Sequence, residues 1–97
     1  MARKVNNKKG FLVIELTKSE AIKKCMFGID DNIICDGCNR LPYTNEFVYY
    51  IAVLNMVFCK HCYEEWYNRS NYYQEDRAYE VGHYNIVAKA LELELEK

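Results

Sequence analysis

The stretches CDGC, at residues 35–38, and CKHC, at residues 59–62, decide the fold of this chain. Each is a pair of cysteines with two residues between them, and 20 residues separate the pairs. A turn of this length lets both sulfurs reach one tetrahedral ion at about 2.3 Å, and two such turns supply four ligands. We therefore predict one structural zinc ion. Its four ligands are Cys35, Cys38, Cys59 and Cys62.

Disulfide bonds are the main alternative for these cysteines, and they require an oxidising compartment. The sequence opens with basic residues, but its apolar run at residues 11–14 is too short for a secretory signal. No run approaches the roughly 20 apolar residues that a membrane-spanning helix needs. A redox-active cysteine pair would need a strand–helix–strand context that the pattern lacks. We therefore expect reduced, metal-bound thiols in a cytoplasmic protein without a membrane partner.

Three residues close to the ligands in the sequence need separate interpretation. Gly37 is expected to relieve the backbone where the first turn brings amides towards sulfur. His61 lies between two better-spaced thiols, so we expect a surface side chain or a donor to sulfur, and contact with the metal site stays open. Cys25 falls on the apolar face of a short predicted helix, which favours a buried, inert thiol.

Since four thiolates close a zinc shell and no zinc-enzyme pattern occurs, we expect no enzymatic activity.

The pattern of apolar residues predicts a small α+β fold with one domain. Residues 1–10 are polar and basic, which predicts a flexible tail, and residues 11–97 are expected to form a single zinc-stabilised domain. Thr17 and Glu20 match a capping box that begins a helix. The other predicted elements are a strand at 11–16, a hairpin of strands 47–51 and 56–58 turning at Asn55, a helix from Cys59, a break at 71–76 and a helix at about 77–97 that frays at its end.

A cysteine knuckle at 35–38 is followed by the predicted hairpin at 47–58 and then by FCKHCY at 58–63, which opens a helix. This order resembles the treble-clef group of zinc fingers, which includes LIM-like modules. The resemblance covers about residues 33–70, the predicted zinc module. It implies one zinc ion and a knuckle–hairpin–helix topology. Members of the group bind DNA, RNA or proteins, so the function that the resemblance implies is broad.

Charge is distributed unevenly along the chain, although the net charge is only −1. Residues 1–24 have a balance of +5, and residues 25–97 have a balance of −6. A zinc ion bound by four thiolates adds a further charge of about −2. A duplex-binding surface needs clustered cations, so the acidic body of the chain argues against one.

The sequence is rich in residues that anchor protein interfaces, with nine Tyr and one Trp. We therefore expect a protein partner, although several of these rings are expected to seal the core instead. Acidic residues of the same region, Glu80 among them, form either a negative strip towards a basic groove on the partner or only a solvated helix face. The candidate partner-binding residues are Tyr63, Glu64, Glu65, Trp66, Tyr67, Tyr72, Tyr73, Glu75 and Asp76.

These features lead to two hypotheses about function. The first is a non-catalytic protein-interaction module that acts as an acidic inhibitor of a nucleic-acid-binding host factor such as a defence nuclease. Phages and mobile elements encode small proteins of this kind. The alternative is a small nucleic-acid-binding zinc-finger regulator, which would use the basic tail with Arg40, Lys60 and Arg69 and stack Tyr rings on bases.

Overall fold

The structure is a computed structural model that describes residues 2–23, 33–43 and 46–96 of the chain. In these ranges the strands are β1 (Arg3–Val5), β2 (Val13–Thr17), β3 (Phe47–Ile51) and β4 (Met56–Cys59). The helices are α1 (Lys18–Lys23), α2 (Lys60–Arg69) and α3 (Arg77–Ala90), with a 3-10 turn at Gln74–Asp76.

The four strands form one antiparallel sheet in the order β1-β2-β3-β4, which confirms the predicted α+β class. The hairpin formed by β3 and β4 has the predicted bounds to within one residue. Asn55 turns it with a φ of 54° and accepts a hydrogen bond from the Tyr50 hydroxyl at 2.6 Å. Asn tolerates this left-handed conformation better than most residues, which explains its place in the turn.

Both faces of the sheet are buried, and this explains why the run before and within β2 is almost entirely apolar. Alternate residues of a strand point to opposite faces. Leu12, Ile14 and Leu16 belong to one buried cluster, together with Tyr84 and other residues of α3. The opposite cluster combines the intervening residues of the run with one ring of α2 and two of the paired cysteines; its buried members are Phe11, Val13, Cys35, Tyr49, Ile51, Phe58, Cys59 and Trp66.

The capping box predicted for α1 is confirmed. Glu20 donates its amide to the Thr17 hydroxyl at 3.2 Å, and Thr17 donates its amide to the Glu20 carboxylate at 3.0 Å. These two bonds satisfy amides that the first turn of a helix leaves without partners. Cys25, for which we expect a buried thiol, lies outside the described residues.

The N-terminal segment differs from the flexible tail that its polar sequence predicts. Residues Arg3–Val5 form the edge strand β1, which pairs with β2. Two cations of this N-terminal segment make contacts within the chain. Arg3 pairs with Glu15 at 2.8 Å, and Lys9 donates a hydrogen bond to the Ser70 carbonyl at 2.7 Å. Lys9 thereby satisfies carbonyl groups at the end of α2, where a cation is also favoured by the helix dipole.

The C-terminal helix is shorter than predicted, since α3 ends at Ala90. Glu92 takes the left-handed conformation with a φ of 60° and donates its amide to Lys89, while Leu93 donates its amide to Ala88 at 2.8 Å. This pair of bonds is a Schellman motif, and Leu93 and Ala88, which its longer bond joins, both pack in the core cluster of α3. The alternating Leu–Glu ending therefore leaves the helix axis instead of extending it.

Glu80 does not belong to the exposed acidic strip expected from the sequence, because its side chain is 0% exposed. Its carboxylate accepts the Leu12 amide at 2.8 Å and pairs with the Arg77 guanidinium at 3.2 Å. A buried charge is tolerated only when it is paired and hydrogen-bonded in this way, and breaking such a pair costs about 3–5 kcal/mol. Glu80 therefore links α3 to the sheet and is not available to a partner.

Candidate metal centre

The four paired cysteines converge on one point, as the sequence predicts. Cys59 ends β4 and Cys62 lies in the first turn of α2, while Cys35 precedes the turn at residues 36–38 and Cys38 ends it. All four sulfurs lie within 4.8 Å of one another, and the Cys38 and Cys59 sulfurs are 3.9 Å apart. Tetrahedral zinc with bonds of about 2.3 Å requires sulfurs about 3.8 Å apart. The donor set and its spacing therefore fit one metal ion.

Asp36 attaches the first cysteine pair to the sheet. Its amide donates to the Val57 carbonyl at 2.8 Å, and the Val57 amide donates to its carboxylate at 2.8 Å. These bonds occupy the outer edge of β4, which would otherwise present unpaired groups. The turn that carries them is closed by a bond from the Asn39 amide to the Cys35 carbonyl at 2.8 Å. This role of Asp36 could not be predicted from the sequence, because its hydrogen-bond partner Val57 lies 21 residues away in the chain.

The sulfur of Cys35 accepts hydrogen bonds from two backbone amides, that of Gly37 at 3.3 Å and that of Cys59 at 3.2 Å. Amide donors of this kind stabilise a thiolate. Burial disfavours ionisation of Cys59, but hydrogen bonds from the Cys62 amide, from Arg40 and from the neighbouring thiols outweigh it and lower the pKa of Cys59 to about 7. Burial and bonds among the thiols raise the pKa of Cys62. A divalent cation would displace the remaining protons, as metal binding to thiols requires.

Arg40 is the cation that accompanies this cluster of sulfurs. Its guanidinium lowers the pKa of the Cys59 thiol and forms a two-pronged ion pair with Glu46, one bond of which measures 3.0 Å. The same ion pair lowers the pKa of the Glu46 carboxylate. Because four thiolates around a zinc ion leave a net charge of about −2, an adjacent cation stabilises the site. The sequence offered Arg40 as a contact to nucleic acid, but the structure gives it this internal role.

Position 37 requires a glycine for a steric reason, in addition to the backbone flexibility expected from the sequence. A methyl group built on its α-carbon would lie 2.9 Å from the Cys62 β-carbon and 3.0 Å from the Cys62 sulfur. The first turn and the start of α2 therefore approach each other so closely that only a glycine fits between them.

His61 is a surface residue, which answers the question that the sequence left open. Its side chain is 79% exposed, and its Nε2 lies 3.4 Å from a carboxylate oxygen of Glu65, one helical turn later. The described residues thus contain a cluster of four cysteines in which histidine has no part.

The structure divides the candidate partner-binding residues into rings that pack and acids that face solvent. Tyr63 stacks on Tyr49 with ring centres 4.7 Å apart, and Trp66 is buried against Phe11 at 4.7 Å. Tyr67 and Tyr72 are partly buried around the same ring of Phe11, whereas Tyr73 is 56% exposed. The exposed acids are Glu64, Glu65, Glu75 and Asp76.

Comparison of the chain with protein-family models, with curated proteins and with solved structures gave no match. The fold and the site define a small α+β protein with four cysteines placed to bind one metal ion. In the described part of the chain, no helix combines the length and the apolar composition that a membrane crossing requires.

Gly37→Ala is expected to weaken zinc binding by about tenfold or more, because crowding of this kind costs roughly 1–3 kcal/mol and 1.4 kcal/mol corresponds to tenfold in affinity. Competition with a chromophoric chelator measures the affinity. Gly82→Ala is the matched control, since no atom lies within 4 Å of its added methyl group, and it should leave zinc affinity unchanged. Equal affinities for the two variants would contradict the close approach at Gly37.

Proposed function

We propose that this chain is a non-catalytic protein-interaction module held together by one structural zinc ion in a treble-clef arrangement. The convergence of four thiols within 4.8 Å carries the proposal. Tetrahedral sets of four sulfurs suit zinc or iron–sulfur centres, and two C-x2-C pairs at this spacing are typical of structural zinc. Four protein ligands leave no open position for water or substrate, which supports a structural role.

The exposed acids of α2 and of the following connection support a basic protein surface as the partner. Glu64 and Glu65 face solvent on α2, and Glu75 and Asp76 face solvent just before α3. A surface of this charge attracts a partner that is itself basic, and it speeds their encounter. If the partner uses its basic surface to bind nucleic acid, the same contact makes this protein its inhibitor.

The alternative of direct nucleic-acid binding has less support, because several cations that it needs have internal partners. Arg3 pairs with Glu15, Lys9 binds carbonyls at the end of α2, and Arg40 pairs with Glu46. Phosphate contacts supply most of the affinity of non-specific complexes, so cations engaged in this way weaken such a complex.

Removal of zinc by a chelator is expected to unfold the segment from about residue 33 to residue 70, because zinc binding supplies roughly 10 kcal/mol of folding free energy in small fingers. Circular dichroism and thermal melting measure the loss. Cys38→Ser should produce the same loss together with a lower zinc content. Cys25→Ser is the matched control, since Cys25 lies outside the predicted ligand set, and it should retain one zinc ion per chain. Melting that is indifferent to chelator would contradict the structural role of the metal.

The wild-type, zinc-loaded protein is expected not to bind labelled single-stranded or duplex DNA or RNA at low salt, because its exposed surface around α2 is acidic. Fluorescence anisotropy measures the binding, and a basic nucleic-acid-binding protein serves as the positive control. Binding that falls steeply as salt is added would replace the proposed partner class with nucleic acid.

A further inference from the structure

A groove of about 340 Å³ lies at the C-terminal end of α2, opposite the end that carries the cysteines. Four segments form it: the residues just before β2, the hairpin turn after β3, the last turn of α2 and the connection to α3. We call it the α2 groove, and the residues used below are Phe11, Leu54, Trp66, Arg69, Tyr73 and Asp76. Cys62 and Arg69 are seven residues apart on one helix, which separates the metal and the groove by about 10 Å along the axis.

The floor of the α2 groove is aromatic and its walls are apolar side chains that remain open to solvent. Phe11 and Trp66 are 4% and 8% exposed and pack with ring centres 4.7 Å apart. Leu54 and Tyr73 are 36% and 56% exposed. An open apolar depression of this kind fits the anchor residue of a partner protein, since such residues fill pockets at the centres of interfaces.

Two charges of opposite sign line the same groove, one from α2 and one from the start of α3. Arg69 ends α2, and Asp76 precedes the first residue of α3. Asp76 stands at the capping position of α3, yet its carboxylate makes no capping bond. Within residues 2–23, 33–43 and 46–96, neither Arg69 nor the Asp76 carboxylate has an ion-pair or hydrogen-bond partner. Both charges are therefore available to a bound segment.

The segments that form the groove are tied down by internal hydrogen bonds. Lys9 donates to the Ser70 carbonyl at 2.7 Å, and the Asp76 amide donates to the Tyr73 carbonyl at 3.2 Å. On the opposite wall, the Leu54 amide donates to the Ile51 carbonyl at 3.2 Å. A site that is formed before binding loses less entropy when a partner arrives.

We propose that the α2 groove binds a segment of a partner protein that carries one large apolar side chain between a basic and an acidic residue. The apolar side chain rests on Phe11 and Trp66, the basic residue faces Asp76 and the acidic residue faces Arg69. The inference rests on the proposed function and names the chemistry of its partner. A small molecule is the weaker occupant, because sites for small molecules enclose most of the ligand surface and this groove is open.

The experiment selects peptides from a phage-displayed library of random heptapeptides on the immobilised, zinc-loaded full chain. The enriched peptides should share a large apolar residue flanked by one basic and one acidic residue. Peptides synthesised without Trp are then titrated in solution. Because Trp66 is the only Trp of the chain, its fluorescence reports occupation of the groove directly.

Variants of exposed residues test the assignment of the floor and of the charges. Leu54→Asp should weaken peptide binding by about tenfold or more, as expected for loss of an apolar contact in an interface. Ile86→Asp is the matched control, since Ile86 is 73% exposed on α3 and outside the groove, and it should leave binding unchanged. The double variant Arg69→Asp with Asp76→Arg should select peptides in which the order of the two charges is reversed. Zinc content and circular dichroism confirm that each variant is folded.

The peptide selection would overturn the inference in three ways: no enrichment above a support without protein, enriched peptides without the charge pattern, or no reversal by the double variant. Peptides that are insensitive to Leu54→Asp but weakened by Glu64→Lys with Glu65→Lys would overturn the groove and leave the proposed function standing. The DNA and RNA measurement tests the proposed function by itself, so the two failures are distinguishable.

Discussion

The fold depends on one constraint, the meeting of two distant cysteine pairs at the junction of β4 and α2. A chain of 97 residues buries a limited apolar area, and chains of this size often need a metal to complete their stability. Here the cysteines are also part of the core, because Cys35 and Cys59 belong to the same buried cluster as Trp66. The cluster of thiols and the apolar packing therefore share one face of the sheet. Asp36 adds the hydrogen bonds that hold the knuckle against β4.

Helix α2 connects this constraint to the proposed function. Its first turn carries Cys62, its middle carries the ring of Trp66, and its last turn carries Arg69. The cysteine cluster therefore lies at the start of the helix whose other end forms the α2 groove. Lys9 completes the arrangement by binding carbonyls at the C-terminal end of α2, so a cation that the sequence offers to nucleic acid stabilises the fold instead. The exposed side chains near this helix include four acids and the ring of Tyr73; the acids are Glu64, Glu65, Glu75 and Asp76.

Local signals explain which parts of the fold could be predicted from the sequence. The cysteine spacing, the capping box at Thr17 and the hairpin turn at Asn55 each depend on a few neighbouring residues, and all three are found in the structure. The charged contacts could not be predicted, because they join positions far apart in the chain. Glu80 meets Leu12 across 68 residues, and Lys9 meets Ser70 across 61.

The ends of the chain show why local patterns fail there. Arg3 and Lys4 are charged and follow a polar pattern, but β2 offers this segment an unpaired edge, and pairing with that edge outweighs the low strand preference of Lys4. At the other end, the helix-forming sequence after Ala90 stops because a Schellman motif with Glu92 in a left-handed conformation buries Leu91. The α2 groove could not be predicted either, since four segments of the chain form it.

X-ray absorption at the zinc edge of the purified protein tests the central claim most directly, because it reports the number and type of atoms bound to the metal. Four sulfur atoms at about 2.3 Å, with one zinc ion per chain, is the predicted result. A shell that contains nitrogen or oxygen ligands in place of sulfur, or a protein without metal whose paired cysteines are oxidised to disulfides, would contradict it.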